Sequence, residues 1–501
     1  YKRQSHELTR EYREYERTST VVANAYVGPI VDRYLAQLAN DLQQQQFSGQ
    51  FYLMQSNGGL IGETEARKDC ISLIESGPAG GVIGTQEVLT SIGLSSGVAF
   101  DMGGTTAKAG VVEDGVPRVG HQYFIGSYNT GLPVLTPVMD IHEVGTGGGS
   151  IASVTQYGEL RVGPQSAGAT PGPACYQKGG SLATVTDANV VLGRLSTKLP
   201  LASNMQLDPN LARAAVEQHV AIPLGVSVEE AAAGIVRVAN TTMAYSISAV
   251  TVERGLSPQD FVLVAYGGAG PLHATQVARE LTMEKVVIPP SPGVFSAYGM
   301  LFAEPQGHAA RTQITALDSD SISGLAALTD ELIAEAGARI GLAGRDADTV
   351  ELVADMRYVG QEHTVDVPLT VQMITSGDGA AIKSRFDKAH QRAYSHSAAE
   401  EPAQIVTLRA VVSIHAQKPS FSKIAASHAS AEPSFFDDVY LEDKVEKSVP
   451  FYSREELVAE QVITGPAVIF EETASTLLLA GEQAEVHEFG HLLIELGVLR
   501  H

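Results

Sequence analysis

The chain has 501 residues, 44% of them apolar, which is enough for a sizeable core and sets a prior of about three domains. Acidic side chains outnumber basic ones by 57 to 34, a formal charge of -23; that balance argues against a nucleic-acid binder, because phosphate neutralisation needs clustered Lys and Arg. Only two cysteines are present, Cys70 and Cys175, so a disulfide scaffold is excluded and reduced thiols in a cytoplasmic protein are expected.

No apolar run reaches the roughly 18 residues of a membrane-spanning helix. The opening residues, YKRQSHELTREYREYER, are too charged for a signal peptide, and they start at Tyr1 rather than Met. Something upstream is therefore expected to be missing. Residues 19–46 predict a helix capped by Ser19 or Thr20, with Gly28-Pro29 starting, breaking or kinking it. QFYLMQ (50–55) reads as a strand and SNGGL as a turn. ESGPAGGVIG (75–84) reads as a Gly-rich loop that opens a helix.

The stretch VAFDMGGTTAKAGVVEDGVPRV (98–119) carries more chemistry. Val98, Ala99 and Phe100 are apolar on both faces of a strand, which predicts a central position in a sheet. Gly103 and Gly104 allow a tight turn whose N–H groups can cradle a phosphate. Thr105 and Thr106 add hydroxyls, and Asp114-Gly115 signals a two-residue hairpin. Asp101, at the carboxyl end of that strand, is placed to hold Mg²⁺ or orient a water. The competing reading is a plain Gly-rich hairpin with a turn-capping Asp.

In MDIHEVG (139–145), a strand puts Asp140 and His142 on one face, either as a metal or acid–base pair or as a solvated loop. Residues 145–180 are loop-rich and read as a folded binding loop. Residues 227–254 form the clearest helix, with Ser227 and Glu230 at capping-box spacing and Gly255 as the stop. FVLVAY (261–266), GGAG and a helix from Pro271 make a strand, turn and helix suited to an anion at the helix N-terminus. The dinucleotide fingerprint is rejected there, since the glycine spacing is wrong and the next strand ends in Pro289-Pro290 rather than an acid.

Residues 303–324 read as a boundary, 418–437 as a linker or long loop, and LVADMRYVGQEHTVDVPL and the tail from about 462 as β. His487-Glu488-Phe489-Gly490-His491 matches a zinc-protease pattern, but that chemistry needs a helix and Gly490 interrupts it. The segment alternates like a hairpin. Cys175 shows no sign of activation and reads as a small buried residue.

Taken in order, REYERTSTVVANAY, MQSNGGL, SGPAGGVIG, FDMGGTTAK, DIHEVGTGGGSIA, LRVGPQSAGATPGPACYQKGG, TVTDANVVLGRL, VERGLSPQDFVLVAYGGAGPLHA and PPSPGVFSAYGMLFA closely resemble the hydantoinase A / oxoprolinase family. This covers about residues 10 to 305; MRYVGQEHTVDVPL and TGPAVIFEETAST resemble it more loosely. The resemblance implies an α/β fold with ribonuclease-H-like lobes of the actin, sugar kinase and heat-shock chaperone superfamily, plus a β-rich C-terminal domain. The expected division is 1–50 as the tail of a first lobe, 51–310 as a nucleotide-binding core and 311–501 as a C-terminal α+β domain.

The family uses ATP with Mg²⁺ or Mn²⁺ and a hydantoinase B-like partner subunit. By resemblance, Asp101 to Lys108 is a phosphate hairpin. It gives Asp101 as catalytic and metal-holding, and Gly103, Gly104, Thr105, Thr106 and Lys108 as phosphate-binding. Gly267, Gly268 and Gly270 fall in the adenosine loop. Asp140, His142 and Glu143 are candidates near the chemistry. Two departures stand out: the family's first-lobe hairpin, DxGGTxTD, is absent, and Lys108 replaces an acid of many relatives.

The resemblance implies a cytoplasmic hetero-oligomer in which this chain is the ATP-using subunit of a cyclic amide (hydantoin, oxoproline or lactam) hydrolase. The alternatives are the nucleotide subunit of a ketone carboxylase and a non-catalytic assembly subunit.

Overall fold

A computed structural model describes residues 4–126, 130–201, 205–342 and 347–497. The chain divides into two units. One takes residues up to Ala79, Val119–Val138 and Ala303–Lys418; the other takes Gly80–Arg118, Met139–Phe302 and the chain from Pro419 onward.

The first unit is built on a four-stranded antiparallel sheet in the order Gln306–Ala316, Ala403–Ser413, Thr349–Tyr358, Val365–Leu369. Alternate residues Leu352, Ala354 and Met356 are buried with Leu325, Leu332 and Phe386 of the helices Leu325–Arg339 and Gly379–Tyr394, the period of two expected of a strand with one covered face. The REYRE segment, residues 10–14, ties the amino-terminal residues to this sheet. Buried Arg409 pairs with Glu11 at 2.8 Å and with Asp355 at 2.6 Å.

The amino-terminal helix is Glu14–Gln44 and keeps Pro29 inside it, so it begins before Ser19, and Pro29 neither starts nor breaks it. Ser19 and Thr20 do not cap it, because their hydroxyls are used sideways. Ser19 Oγ donates to the Pro133 carbonyl at 2.5 Å, and Thr20 Oγ1 accepts the Leu135 N–H at 2.9 Å.

The second unit holds the large sheet. Its strands run in the order Ile141–Val144, Ala107–Glu113, Gly97–Met102, Val262–Tyr266, Lys285–Ile288, Leu492–Glu495, Gln483–Val486, Val462–Thr464, with Val116–Pro117 beside Ala107–Glu113. Gly97–Met102, Val262–Tyr266 and Lys285–Ile288 are parallel and central, as the apolar Val98-Ala99-Phe100 run predicts. Asp114 and Gly115 both have positive φ, 52° and 80°, and form the expected two-residue turn.

One face of the sheet packs on the helices Val228–Val250 and Gly270–Glu280, through Phe100, Ala109, Leu263, Ile235, Met243 and Val277. The Ser227–Glu230 capping box is formed: Ser227 Oγ accepts the Glu230 N–H at 3.2 Å, and Glu230 accepts the Ser227 N–H at 2.9 Å. SGPAGGVIG, expected as a loop, lies within the helix Ser76–Ser91. It is Gly-rich for packing: a Cβ at Gly81 would run into the ring of Tyr266.

The C-terminal chain is β-rich. Strands Phe435–Leu441, Lys444–Ser453, Ala467–Phe470 and Ser475–Leu478 form their own sheet, whereas Val462–Thr464, Gln483–Val486 and Leu492–Glu495 complete the large one. His487 to His491 is the hairpin turn between the last two strands, with the His487 N–H donating to the His491 carbonyl at 2.8 Å and Gly490 at φ 79°. Among the described residues no single helix is long and apolar enough to cross a membrane.

Candidate functional site

The site is set by strand register. Asp101 lies opposite Tyr266 in the parallel pair and opposite Lys108 in the antiparallel pair; Lys108 in turn lies opposite Glu143. Directly opposed residues share a face, so Tyr266, Asp101, Lys108 and Glu143 form one polar row across four strands. The row sits at the carboxyl ends of the parallel strands, where open α/β sheets place their ligands.

Lys108 Nζ is 3.1 Å from Glu143 Oε1 and 3.0 Å from Thr106 Oγ1. Ser296 Oγ donates to Asp101 Oδ2 at 3.4 Å. Burial raises the Asp101 carboxyl above the usual range, opposed by the Lys108 charge and the Ser296 bond. Tyr266 is fully buried, and burial together with the Asp101 charge pushes its phenol well up, so it stays a neutral donor.

Three glycine loops surround this row. In the first, the Gly103 N–H closes the turn onto the Thr106 carbonyl at 3.1 Å, so it is Gly104 and Thr105 that stand exposed at the tip. The second loop braces the first: Gly148 and Gly149 donate to the carbonyls of Gly103 and Gly104 at 3.0 and 2.6 Å. Those carbonyls are thereby turned away from the tip. Thr186 anchors the brace, donating from Oγ1 to the Gly148 carbonyl at 2.8 Å.

The third loop starts at Gly267, with φ 81°; a Cβ there would run into Asp101 Oδ1 and the Met102 carbonyl. Only glycine lets this backbone pass so close to the carboxylate. The Gly267 N–H donates to the Pro292 carbonyl at 2.9 Å, and the Ala269 N–H to the Met102 carbonyl at 3.0 Å. Gly270 then begins the helix Gly270–Glu280, whose first amides face the same end of the sheet.

The expected group Asp140, His142 and Glu143 is divided. Glu143 joins the row. His142 takes the opposite face, its ring meeting Tyr245 edge-on at 6.5 Å. Asp140 is held by Arg254 in a two-pronged pair, both contacts 3.1 Å.

Sequence reasoning missed Tyr266, Ser296 and the bracing role of Gly147 to Gly149. For Tyr266 a signal existed in AYGGAG, since its strand ends there. Only the parallel pairing makes it a neighbour of Asp101, and that pairing is not written in a local motif. Cys175 is buried, as expected, with its thiol pushed far up by burial.

The residues present fit an anionic ligand carrying a divalent cation. A Cβ on Gly104 would meet nothing within 4 Å, so the tip faces open space. Lys108 supplies the positive charge. Among the described residues no three or more His, Cys, Asp or Glu side chains are grouped to hold a metal ion. Within the row, Asp101 is the carboxylate that could hold a divalent cation.

The model for "Hydantoinase/oxoprolinase" matches residues 17–308, and that for "Hydantoinase/oxoprolinase C-terminal domain" matches residues 318–496. The caprolactamase subunit alpha of Pseudomonas jessenii is 33% identical over 492 residues, covering 95% of this chain and 69% of its own length. The acetophenone carboxylase gamma subunit of Aromatoleum aromaticum is 29% identical over 519 residues, covering 98% of this chain and 68% of its own. The crystal structure of the ATP-dependent caprolactamase from Pseudomonas jessenii superposes with a TM-score of 0.83 at 30% identity, covering 99% of this chain and 72% of that one. On these matches, which span nearly its whole length, the chain belongs to the hydantoinase/oxoprolinase family.

Proposed function

We propose that this chain is the ATP-using subunit of a cyclic amide hydrolase, acting on a lactam, hydantoin or oxoproline. The observation that carries the reading is the Tyr266–Asp101–Lys108–Glu143 row inside three glycine loops. The likeness to an ATP-dependent caprolactamase, in sequence and in fold, supports it.

An unstrained cyclic amide resists water because resonance stabilises it and nitrogen leaves poorly. Attack of the amide oxygen on the γ-phosphorus of ATP expels ADP and leaves an O-phosphorylated imidate. Water then adds to the imidate carbon. The C–N bond breaks as the nitrogen takes up a proton, leaving an acyl phosphate, and a second water attacks the acyl carbon to release phosphate and the ring-opened amino acid. Such phosphoryl transfer needs positioning and charge stabilisation more than covalent help.

Gly104 and Thr105 would bind phosphate oxygens through the hairpin tip, and Thr106 would hold Lys108 in place. Lys108 would offset the phosphate charge, with Glu143 fixing its ammonium. Gly267, Gly268 and Gly270 would carry the nucleoside side of ATP at the helix start. Mg²⁺ or Mn²⁺, when bound, supplies charge neutralisation on the phosphates, with Asp101 as its protein ligand. Asp140 and His142 would steady the Ile141–Val144 strand through Arg254 and Tyr245 rather than touch substrate.

The reading includes a hydantoinase B-like partner and a cytoplasmic hetero-oligomer. The Glu14–Gln44 helix supports a partner. It presents Tyr15, Val22, Tyr26, Ile30 and Tyr34 along one face, each 57–80% exposed, a stripe that monomers rarely leave open.

A ketone carboxylase is the second reading, favoured by the 29% identity to the acetophenone carboxylase gamma subunit. One assay separates the two: ADP release by the protein with its co-purifying subunits, across a panel of lactams, hydantoin and 5-oxoproline, and across ketones with bicarbonate. Release driven by a cyclic amide without bicarbonate is the expected result. Release only with ketone plus bicarbonate replaces the first reading by the second.

A further inference from the structure

The turn Glu471–Ala474 joins the strands Ala467–Phe470 and Ser475–Leu478, far along the chain from the motifs of the site. The Glu471 N–H closes the turn onto the Ala474 carbonyl at 2.9 Å. Its side chain points elsewhere: Glu471 Oε2 accepts the Ser291 N–H at 3.2 Å. Ser291 is left-handed, with φ 51° and ψ 52°. A serine holds that conformation only where its surroundings favour it.

The residues just after Ser291 form the far wall of the polar row. The Pro292 carbonyl holds the Gly267 N–H at 2.9 Å. The Phe295 ring lies 4.8 Å from the ring of Tyr266. Ser296 donates to Asp101 at 3.4 Å. Thr473, in the same turn as Glu471, lies close over two glycines: a Cβ on Gly293 would come within 2.7 Å of Thr473 Cβ, and one on Gly268 within 3.4 Å of the Thr473 carbonyl.

We propose that Glu471 is a positioning residue for the nucleotide site: by holding Ser291 left-handed it fixes Pro292, and through Pro292 the Gly267 loop. The inference rests on the reading of that loop as part of an ATP site. It gives the EETA turn of the C-terminal chain a place in the machinery that the glycine motifs alone do not reveal.

The carboxyl is kept there against its own preference. Burial pushes it up to about 7, opposed by the charge of Arg454 and the Ser291 bond. Arg454 is itself buried and lowered to about 10, its Nη2 occupied by the Ile288 and Gly490 carbonyls at 3.2 and 2.6 Å. Groups held so far from their ordinary range collect at functional sites.

The test is calorimetric titration of the protein, with its co-purifying subunits, using a non-hydrolysable ATP analogue and Mg²⁺. Loss of one buried hydrogen bond corresponds to up to roughly tenfold in affinity, so Glu471→Ala is expected to weaken binding by about that factor. Glu471→Gln keeps an oxygen for the Ser291 N–H and stays within about threefold of wild type by the same arithmetic. Adding Ser291→Gly to Glu471→Ala recovers affinity, because glycine adopts the left-handed conformation unaided. A purely structural role would not produce that recovery.

The proposal is overturned if Glu471→Ala binds like wild type, or if Glu471→Gln is as weak as Glu471→Ala. It is equally overturned if Ser291→Gly restores nothing. A wild-type protein that binds no nucleotide overturns the ATP reading itself, and this inference with it.

Discussion

Asp101 and Lys108 face each other across the Gly97–Met102 and Ala107–Glu113 strands, and Lys108 is held in turn by Glu143 at 3.1 Å. Burial raises the Asp101 carboxyl, and the lysine charge opposes that shift. Two acids therefore flank one cation at the place where the glycine tip opens. That arrangement suits a ligand that brings further negative charge together with a metal.

Asp101→Ala is expected to lower substrate-stimulated ATP turnover by at least about a hundredfold, the loss typical of a group that stabilises developing charge. Far-UV circular dichroism should be unchanged. Glu143→Gln, which frees Lys108, should act mainly on the KM for ATP. Steady-state kinetics on both variants check this, and wild-type turnover in Asp101→Ala refutes the placement of the site.

Gly267→Ala should destabilise the protein by about 1–3 kcal/mol, since the residue sits at positive φ and the new methyl meets Asp101 and Met102. Chemical denaturation measures the loss. Gly104→Ala, whose methyl meets nothing within 4 Å, should leave stability nearly unchanged while reducing nucleotide affinity.

Much of this site was legible in the sequence. Asp101, the Gly103-Gly104 turn, the Asp114-Gly115 hairpin and the helix opening at Gly270 all follow from local rules of turn and cap chemistry. Pairing across distance was not legible. Nothing in AYGGAG says that Tyr266 will stand beside Asp101, and nothing in EETA points to Ser291. SGPAGGVIG looked like a loop because glycine disfavours helices, but tertiary packing against Tyr266 overrides that preference. Beyond residue 311, three strands of the C-terminal chain complete the large sheet, a pairing that alternation alone cannot reveal.

Glu471 gives a pH signature. Its folded-state value, about 7, lies above the ordinary 4.5. The folded form therefore holds the proton more tightly, and the associated stability is present below the unfolded value and lost as pH rises through the folded one. Thermal melts of wild type and Glu471→Gln should diverge in the variant's favour between about pH 5 and pH 8. Parallel curves across that range contradict the burial of this carboxyl.

Glu11→Ala should cost about 2–4 kcal/mol, because buried Arg409 is left with Asp355 as its remaining pairing acid. Urea unfolding reads it. A loss below about 0.5 kcal/mol would give the Glu11–Arg409 contact the standing of an ordinary surface pair.

The most direct measurement follows isotopically heavy oxygen placed in the carbonyl of a lactam substrate, turned over by the protein with its partner subunits and ATP. If the amide oxygen is phosphorylated, the label leaves with inorganic phosphate, and mass spectrometry finds it there. Unlabelled phosphate, with all the label retained in the ring-opened acid, contradicts this route, in which water displaces the phosphate at carbon.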